Sequence, residues 1–369
     1  MDGWNPIRSF FRCPQETPPV ETGFPRAVLA KRNTVTEPTT STAAQRQRTA
    51  ATAAGRSRLP EWLRVNLPKG LKQGVFNRTQ ATVDGNQLHT VCEEARCPNV
   101  HDCWARGTAT FMIAGKECTR GCRFCSVETL RQPAAPDPHE PEHLAAAVAR
   151  MDLDHVVVTV VNRDDLPDGG AGHYRRCVDA VHSRSPDVTI ELLSSDLEGD
   201  TTALARLLDD APLAVFAHNV ECVERLDAIV RDRRASFEQS LSVLRSAKQL
   251  RPDLFTKSSL MVGLGEADQE VSHAMERLRG SGVDLLTLGQ YLAPGRPGER
   301  FAAVDRYVSP GQFDDWAAEA RAMGFLAVAS GPLVRSSFRA GKLLEEARRC
   351  DRAIGPCDSE RALRCSTSP

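Results

Sequence analysis

Short apolar runs alternate with amphipathic stretches along the middle of this chain, from about residue 105 to residue 330. The apolar runs are rich in β-branched residues, which predicts buried strands. The predicted strands are TATFMI (108–113), HVVVTVV (155–161), VTIELL (188–193), LAVFAH (213–218), TKSSLMVG (256–263) and DLLTLG (284–289), with FLAVAS (325–330) as an optional last one. Between the strands, apolar residues recur every three or four positions, which predicts helices. Examples are EHLAAAVARM (142–151), SFEQSLSVLRSAKQL (236–250) and QFDDWAAEARAM (312–323).

Strands that alternate with helices predict an α/β fold with a parallel sheet and right-handed crossovers. Six or so repeats of this unit indicate a partial or complete barrel. In such barrels the functional residues lie at the carboxyl ends of the strands. The sequence therefore predicts a site at that edge of the sheet.

The two ends of the chain lack this pattern. Residues 1–57 are rich in Thr, Ala, Pro and Arg without a sustained apolar period, so we interpret them as a disordered extension. Their composition is also typical of an organellar transit peptide, although four acidic residues interrupt it. Residues 343–369 form a predicted polar tail, whose three cysteines match no metal-binding spacing: Cys350, Cys357 and Cys365.

Charge and hydropathy narrow the possible functions. The 369 residues carry a formal net charge of −1, which gives no electrostatic reason to expect nucleic acid as a partner. No run approaches the ~18 consecutive apolar residues that a membrane-spanning helix needs. We therefore expect a soluble protein that contacts neither nucleic acid nor membrane.

The distribution of the cysteines is more informative than their number. Six of the 12 fall within the 34 residues from 92 to 125. The cysteine content is too low for a disulfide scaffold, and the chain is too long for one. Clustered thiols in a large enzyme of this kind indicate metal ligation.

The first group of cysteines is Cys118-x3-Cys122-x2-Cys125, directly after the strand TATFMI. Three thiolates on a short loop can ligate three irons of a four-iron cluster and leave the fourth iron open for a small molecule. Zinc sites usually take four ligands in paired C-x2-C units, so a zinc knuckle is the weaker alternative. This spacing resembles the signature of the radical S-adenosylmethionine superfamily.

The second group is Cys92-x4-Cys97-x5-Cys103, again with three thiols and no fourth cysteine nearby. It is consistent with a second cluster. A single metal site that draws on both groups is an alternative, and so is a cluster that relays electrons.

The run from Val91 to Cys125, VCEEARCPNVHDCWARGTATFMIAGKECTRGCRFC, closely resembles the combined cluster signature of lipoyl synthases. Further similar segments follow in the same order: TVVNRDDLPDGGAGHY (159–174), FAHNVECVERL (216–226), KSSLMVGLGE (257–266), LLTLGQYLAP (285–294) and SGPLVRSSF (330–338). The resemblance extends from about Pro60 to about Phe338, roughly three quarters of the chain.

The resemblance implies a radical-SAM-type partial (β/α)6 barrel over residues 106–330. An auxiliary-cluster segment at 58–105 would precede it, and a segment at 331–342 would close the site. In this family one four-iron–four-sulfur cluster binds and cleaves S-adenosylmethionine, which implies that role for Cys118, Cys122 and Cys125. The reaction inserts two sulfur atoms at C6 and C8 of an octanoyl chain on a lysine of a lipoyl carrier domain.

The resemblance also implies a second four-iron–four-sulfur cluster, the sulfur source, on Cys92, Cys97 and Cys103. Its fourth ligand in the family is the second serine of an Arg-Ser-Ser motif, which is Ser337 here. A serine oxygen is a harder donor than a thiolate, so this bond should be the easiest one to release. Candidates for contacts with S-adenosylmethionine lie at predicted strand ends: Arg163, Asp164, Asp165, Glu191, Asn219, Gly263, Gly265 and Glu266.

Three segments depart from the family pattern. Residues 194–197 read SSDL in place of a Thr-Pro-Asp-Phe type of segment, Phe338 replaces a common tyrosine, and Ser259 replaces a usual glycine. None of these positions is a predicted cluster ligand. The departures therefore concern substrate contacts and local packing.

The implied partners are octanoylated lipoyl carrier domains, namely 2-oxoacid dehydrogenase acyltransferase subunits and the glycine cleavage H protein. A reductant such as flavodoxin or ferredoxin and an iron–sulfur carrier that rebuilds the spent cluster are also expected. We expect a monomer in the cytoplasm, with mitochondrion or plastid as the alternative if residues 1–57 are a transit peptide. The alternative functions are another two-cluster radical SAM enzyme that inserts sulfur or methylthiolates, and a non-catalytic iron–sulfur or zinc protein.

Overall fold

The computed structural model describes residues 59–64, 69–86, 88–295 and 299–354. The predicted extension at residues 1–57, and Cys357 and Cys365 of the predicted tail, lie outside these ranges. Within them, no helix is both long enough and apolar enough to cross a membrane.

One sheet of eight strands organises the described chain, and a two-stranded ribbon stands beside it. In chain order the strands are β1 (His89–Thr90), β2 (Thr110–Ile113), β3 (Glu117–Cys118), β4 (Glu128–Thr129), β5 (His155–Val160), β6 (Thr189–Leu193), β7 (Val215–Ala217), β8 (Phe255–Val262), β9 (Leu285–Gln290) and β10 (Ala327–Gly331). The large sheet has the order β1-β2-β5-β6-β7-β8-β9-β10, and β3 pairs with β4.

Helices connect these strands. They are α1 (Leu71–Gly85), α2 (Val91–Glu94), α3 (Val100–Trp104), α4 (Glu140–Met151), α5 (Ala171–Arg184), α6 (Thr201–Leu208), α7 (Asp227–Val230), α8 (Phe237–Leu250), α9 (Asp268–Gly280), α10 (Pro310–Ala322) and α11 (Ala340–Ile354). Three short 3-10 turns complete the set: Glu61–Leu63, Leu197–Gly199 and Glu224–Leu226.

Seven consecutive strands of the sheet, β2 and β5 to β10, run parallel, and β1 alone pairs antiparallel. Six of the seven are the strands expected from the sequence, and β10 is the optional seventh. The predicted α/β fold of the partial-barrel type is confirmed. β1 and β10 are the edge strands of the sheet that the described residues form.

Helix starts follow ordinary capping rules. The Ser236 hydroxyl accepts the Gln239 N–H at 3.1 Å and begins α8. Ser309 precedes α10, which has Pro310 in its first turn, where the missing N–H of proline costs nothing. Both helices bury one apolar face against the sheet, as their three-to-four-residue period predicts.

The segment after β10 differs from the expectation of a polar tail from residue 343. It continues as α11, which contacts β5, β9 and β10. Leu343 and Ala347 of this helix are buried together with Leu285 and Ala327 of the sheet. Ala340 and Leu344 of the same helix are buried as well, so residues three and four positions apart give this helix a buried apolar face beside its charged one.

Candidate active site

A cavity of about 390 Å³ lies near the carboxyl ends of the parallel strands. Strand residues such as Thr159, Leu193 and Met261 form one side of it. The remaining wall includes both groups of cysteines and the Arg-Ser-Ser motif: Cys92, Cys97, Cys103, Cys118, Cys122, Cys125, Arg335, Ser336 and Ser337. The structure thus brings all seven predicted cluster ligands to one cavity, although 212 sequence positions separate Cys125 from Ser337.

The loop that carries Cys118, Cys122 and Cys125 follows β2, and the β3–β4 ribbon ties its two ends together. Two backbone N–H groups point at its sulfur atoms: Arg120 N–H donates to Cys118 Sγ at 3.4 Å, and Asp232 N–H donates to Cys122 Sγ at 3.3 Å. N–H donors of this kind stabilise negative charge on sulfur. The loop is therefore prepared for thiolates.

Without bound metal, the surroundings of these three cysteines nevertheless favour neutral thiols. Burial raises the pKa of Cys122 to about 11 and that of Cys125 to about 12, and the neighbouring thiols raise both further. Burial also raises the pKa of Cys118. Three buried thiolates repel one another, so holding them ionised requires bound cationic charge such as iron.

The second group lies on two short helices. Cys92 is in α2, Cys103 is in α3, and Cys97 is in the loop between them, where its N–H donates to the Cys92 carbonyl at 3.0 Å. Burial raises the pKa of Cys92 to about 11 and that of Cys103 to about 12. Asn99 Nδ2 donates to the Leu333 carbonyl at 2.6 Å, which joins this segment to the chain before the Arg-Ser-Ser motif.

Two hydroxyl contacts hold the Arg-Ser-Ser motif in the cavity. The Thr110 hydroxyl of β2 donates to Ser337 Oγ at 2.8 Å, and the Ser336 hydroxyl donates to Asn219 Oδ1 at 3.1 Å. A Cβ on Gly289 of β9 would lie 2.1 Å from the Val334 carbonyl oxygen. Only glycine therefore lets the backbone before the motif approach the strand so closely.

The spacing of the thiols discriminates between metals. Among the described residues, neither group of three cysteines has all its sulfur atoms within 4.8 Å of one another. One tetrahedral zinc ion, with Zn–S bonds of about 2.3 Å, would hold them about 3.8 Å apart. The thiols of one group are therefore too far apart to bind a single zinc ion together.

Asn219 is the one predicted S-adenosylmethionine contact that lines the cavity among the described residues. The other strand-end candidates make contacts within the protein. Arg163 is buried, with its guanidinium 2.7 Å from Asp165 and 3.1 Å from the Ala114 carbonyl. Asp164 accepts Arg120 Nη2 at 2.8 Å.

Glu191 does not lie at the cavity rim, where strand alternation was expected to place it. It is fully buried, 2.7 Å from Lys257 Nζ, which is also fully buried. Burial opposes ionisation of Glu191, but Lys257 and His155 outweigh it and hold its pKa below the usual range. The side chain precedes the cavity-lining Leu193 by two positions, so it points into the barrel nearer the amino end of β6.

Gly263, Gly265 and Glu266 form a tight turn at the end of β8. The Glu266 carboxylate accepts the Gly263 N–H at 2.7 Å and the Leu264 N–H at 2.9 Å. Gly263 has a φ of +92°, and a Cβ there would lie 2.5 Å from the Arg306 carbonyl oxygen. These residues end the strand and do not line either cavity described for this edge.

A smaller cavity of about 130 Å³, not predicted from the sequence, shares Asn219, Cys122 and Glu221 with the larger one. Arg120 lies in its wall between two carboxylates, 2.8 Å from Asp164 and 2.6 Å from Asp196. Other lining residues are Ser194, Ser195, His218 and Arg231. The segment SSDL, noted as a departure from the family pattern, supplies three of these residues and was the signal available in the sequence.

Family models and curated relatives identify the family of this chain. Residues 112–278 match the model of the radical SAM superfamily, and residues 31–97 match that of the N-terminal domain of lipoyl synthase. A lipoyl synthase of Halorhodospira halophila is 51% identical over 292 residues, which are 79% of this chain and 85% of the relative. The chain belongs to the lipoyl synthase family. Two further lipoyl synthases, mitochondrial in Arthroderma otae and chloroplastic in Arabidopsis thaliana, are each 50% identical, over 79% and 77% of this chain and 70% and 72% of their own.

Membership of the lipoyl synthase family makes this chain a radical SAM enzyme of the sulfur-inserting class. The superfamily implies one four-iron–four-sulfur cluster together with S-adenosylmethionine. The predicted enzyme class is confirmed, and the alternative of a non-catalytic zinc or electron-relay protein is wrong.

Proposed function

We propose that this enzyme inserts two sulfur atoms, at C6 and C8, into an octanoyl chain carried on a lysine of a lipoyl carrier domain. The observation that supports this most is that both cysteine groups and Ser337 line a single cavity. Two clusters held there would face one bound substrate. Apolar side chains suited to an alkyl chain line the same cavity: Val91, Met112, Val127, Val161, Met261 and Leu292.

Cys118, Cys122 and Cys125 would hold the first cluster, and S-adenosylmethionine would bind beside it. Together these groups supply the one-electron chemistry that cuts C–H bonds without an acidic proton. The protein's own part is to bind the partners, orient them and exclude water. Asn219 fits the positioning role, since its amide lines both cavities and is held by Glu221 and Ser336.

Cys92, Cys97 and Cys103 would hold the second cluster, the proposed sulfur source, with Ser337 as its fourth ligand. Ser337 Oγ already accepts a hydrogen bond from Thr110 in a largely buried environment. That contact holds the hydroxyl in the wall of the cavity that Cys92 and Cys103 also line. Loss of this oxygen ligand is therefore expected to weaken the second cluster while leaving the first in place.

The partners belong to the same proposal. The substrate carriers would be octanoylated acyltransferase subunits of 2-oxoacid dehydrogenases and the glycine cleavage H protein. Flavodoxin or ferredoxin would supply electrons, and an iron–sulfur carrier would rebuild the second cluster. We propose that the enzyme acts as a monomer.

For location we propose the organellar alternative in place of the cytoplasm. The names of relatives from Arthroderma otae and Arabidopsis thaliana place those proteins in mitochondria and chloroplasts, while the Halorhodospira halophila name gives no compartment. Residues 1–57 would act as the transit segment. A fluorescent protein fused to residues 1–57 should enter an organelle in the host cell, whereas cytoplasmic fluorescence would contradict this.

The test of the function is a reaction of the anaerobically reconstituted full chain. The mixture contains S-adenosylmethionine, dithionite and an octanoyl-lysine peptide, and the product is measured by mass spectrometry. About eight irons per chain and a doubly thiolated peptide are expected, since two four-iron clusters are proposed. Ser337→Ala should still release 5′-deoxyadenosine but form no thiolated product. Release of 5′-deoxyadenosine by the wild type without any thiolated peptide would contradict the proposed substrate.

A further inference from the structure

Two exposed apolar side chains lie beside the loop at residues 118–125. Leu130 is 44% exposed and Ile229 is 51% exposed, two of only six large hydrophobic side chains exposed in the described chain. Both are joined to this loop through backbone groups. The Leu130 N–H donates to the Cys118 carbonyl at 2.9 Å, and the Ile229 carbonyl accepts from the Arg123 guanidinium at 3.4 Å.

Exposed arginines lie in the segments that carry these two side chains and in the segment 299–300, which contacts the loop. The segments 121–131, 229–234 and 299–300 expose five arginines and two glutamates: Arg123, Arg131, Arg233, Arg234, Arg300, Glu128 and Glu299. The whole chain has a formal net charge of −1, so this local excess of positive charge stands out. We call the arginines together with Leu130 and Ile229 the loop face.

The loop face is close to the cysteine ligands themselves. Arg300 Nη2 donates to the Cys125 carbonyl at 3.0 Å, and Arg234 Nη2 donates to the Thr119 carbonyl at 2.6 Å. Arg234 is also paired with Asp164 and Asp232, whereas the ion pairs of the described residues do not include Arg131 or Arg233. Those two cations are therefore available to an incoming molecule.

We propose that the loop face is the docking surface for an acidic one-electron carrier protein, which reduces the cluster held by Cys118, Cys122 and Cys125. This rests on the proposed role of that loop. In the step the carrier is oxidised by one electron and the cluster is reduced by one, and no bond or proton needs to move.

Charged and apolar side chains make different contributions to such a contact. Unpaired arginines at the rim attract an acidic partner and raise its association rate, with a strong dependence on salt. Leu130 and Ile229 supply the apolar area that stabilises the docked pair. Docking here places the carrier against the backbone of the ligand loop, and the cavity on the inner side stays free for the substrate.

The test measures how fast the reconstituted full chain is reduced, from the bleaching of its cluster absorbance under anaerobic conditions. The reductant is either reduced plant-type ferredoxin or dithionite. We expect Leu130→Ser/Ile229→Ser to slow reduction by ferredoxin about tenfold, since two docking side chains are lost. Arg131→Gln/Arg233→Gln should slow it and flatten its salt dependence. Dithionite, a small ion that needs no docking, should reduce all variants at the wild-type rate.

Two matched controls lie at the other end of the barrel strands, where α5 and α8 end. Leu250→Ser removes a side chain that is 45% exposed, and Arg184→Gln removes an exposed arginine. Neither should change either rate. Equal ferredoxin rates in the loop-face variants and the wild type would overturn the proposal.

A second outcome would also overturn it. If the loop-face variants keep their ferredoxin rates but lose thiolation of an octanoylated carrier domain, the face binds the substrate protein instead. Bleaching is read without any product, so a wild type that is reduced yet makes no thiolated peptide contradicts the proposed function alone.

Discussion

The Thr110 hydroxyl donates a 2.8 Å hydrogen bond to Ser337 Oγ, across 227 positions of sequence. Thr110 begins the first parallel strand of the sheet, and Ser337 lies in the segment between the last strand and α11. Burial raises the pKa of the Cys92 thiol, and the Thr110 backbone lowers it by a smaller amount. One residue of β2 therefore influences two proposed ligands of the second cluster.

Thr110→Val should lower thiolated product about five- to tenfold, because the lost hydrogen bond is worth about 1 kcal/mol and Ser337 is no longer oriented. Release of 5′-deoxyadenosine should stay at the wild-type level. Thr110→Ser keeps the hydroxyl and should keep most of the product. Both yields are measured in one single-turnover reaction, and equal product from Thr110→Val and wild type would show that the contact has no role.

Gly289→Ala should displace the segment that carries the Arg-Ser-Ser motif. The new methyl group would meet the Val334 carbonyl oxygen at 2.1 Å, so the backbone must shift. Overpacking of this kind costs about 1–3 kcal/mol. We expect a lower melting temperature and loss of iron from the proposed second cluster, measured by thermal unfolding and iron analysis.

Gly311→Ala in α10 is the control for that substitution. Nothing lies within 4 Å of its Cβ position, and alanine favours a helix. Its melting temperature should equal or exceed that of the wild type. A Gly289→Ala protein with full iron content and unchanged melting temperature would contradict the tight packing described here.

Lys257→Met should lower the free energy of unfolding by about 3–5 kcal/mol, because it leaves the buried carboxylate of Glu191 without its partner. Both side chains have no exposed area. Lys257→Met/Glu191→Leu should recover much of the loss, since an apolar pair needs no counter-charge. Asp179→Asn, which removes an exposed pair with Arg175, should cost less than about 0.5 kcal/mol. Urea unfolding measures all three, and a small effect of Lys257→Met would show that the pair is not desolvated.

His218 gives the protein a defined response to acid. Burial lowers its pKa from 6.5 to about 4. The unfolded chain therefore binds a proton that the folded chain does not, and stability falls as the pH drops from about 6.5 towards 4, by on the order of 3 kcal/mol. Above pH 6.5 the contribution is fully present.

The variant His218→Gln separates the contribution of His218 to the pH dependence of stability from those of other groups. Glutamine is neutral throughout and can still donate to the Ser194 carbonyl and accept from Ser240, the two partners of the imidazole. The difference in melting temperature between pH 7.5 and pH 5 should be smaller for the variant than for the wild type. Equal differences in the variant and the wild type would show that other groups cause the acid response.

The strands of the barrel and the grouping of the cysteines could be predicted because local patterns report them. Cys118, Cys122 and Cys125 stand at fixed spacing on one loop, and the strands are apolar runs of ordinary length. α11 was missed, because seven charged residues interrupt its apolar positions, such as Leu343 and Ala347, and hide their three-to-four-residue period.

Contacts between side chains that are distant in sequence could not be predicted in the same way. The alternation of side chains along a strand predicts the face of β6 on which Glu191 lies. The depth of Glu191 within the barrel, however, depends on the register of the strands up to β8, which carries Lys257. The pairing of Arg120 with Asp164 and Asp196 depends on three separate loops meeting at the strand ends. Neither contact produces a spacing of residues that can be recognised in a single sequence.

We propose that the two cysteine groups have different roles at one cavity, and that Cys92, Cys97 and Cys103 hold the sulfur that is transferred. The most direct measurement is the mass of the thiolated octanoyl peptide formed in a single turnover by enzyme reconstituted with iron and ³⁴S-sulfide, without free sulfide. Both inserted sulfur atoms should be ³⁴S, and Cys92→Ala/Cys97→Ala/Cys103→Ala should release 5′-deoxyadenosine without forming product. Product that contains unlabelled sulfur, or labelled product from the triple variant, would contradict the account.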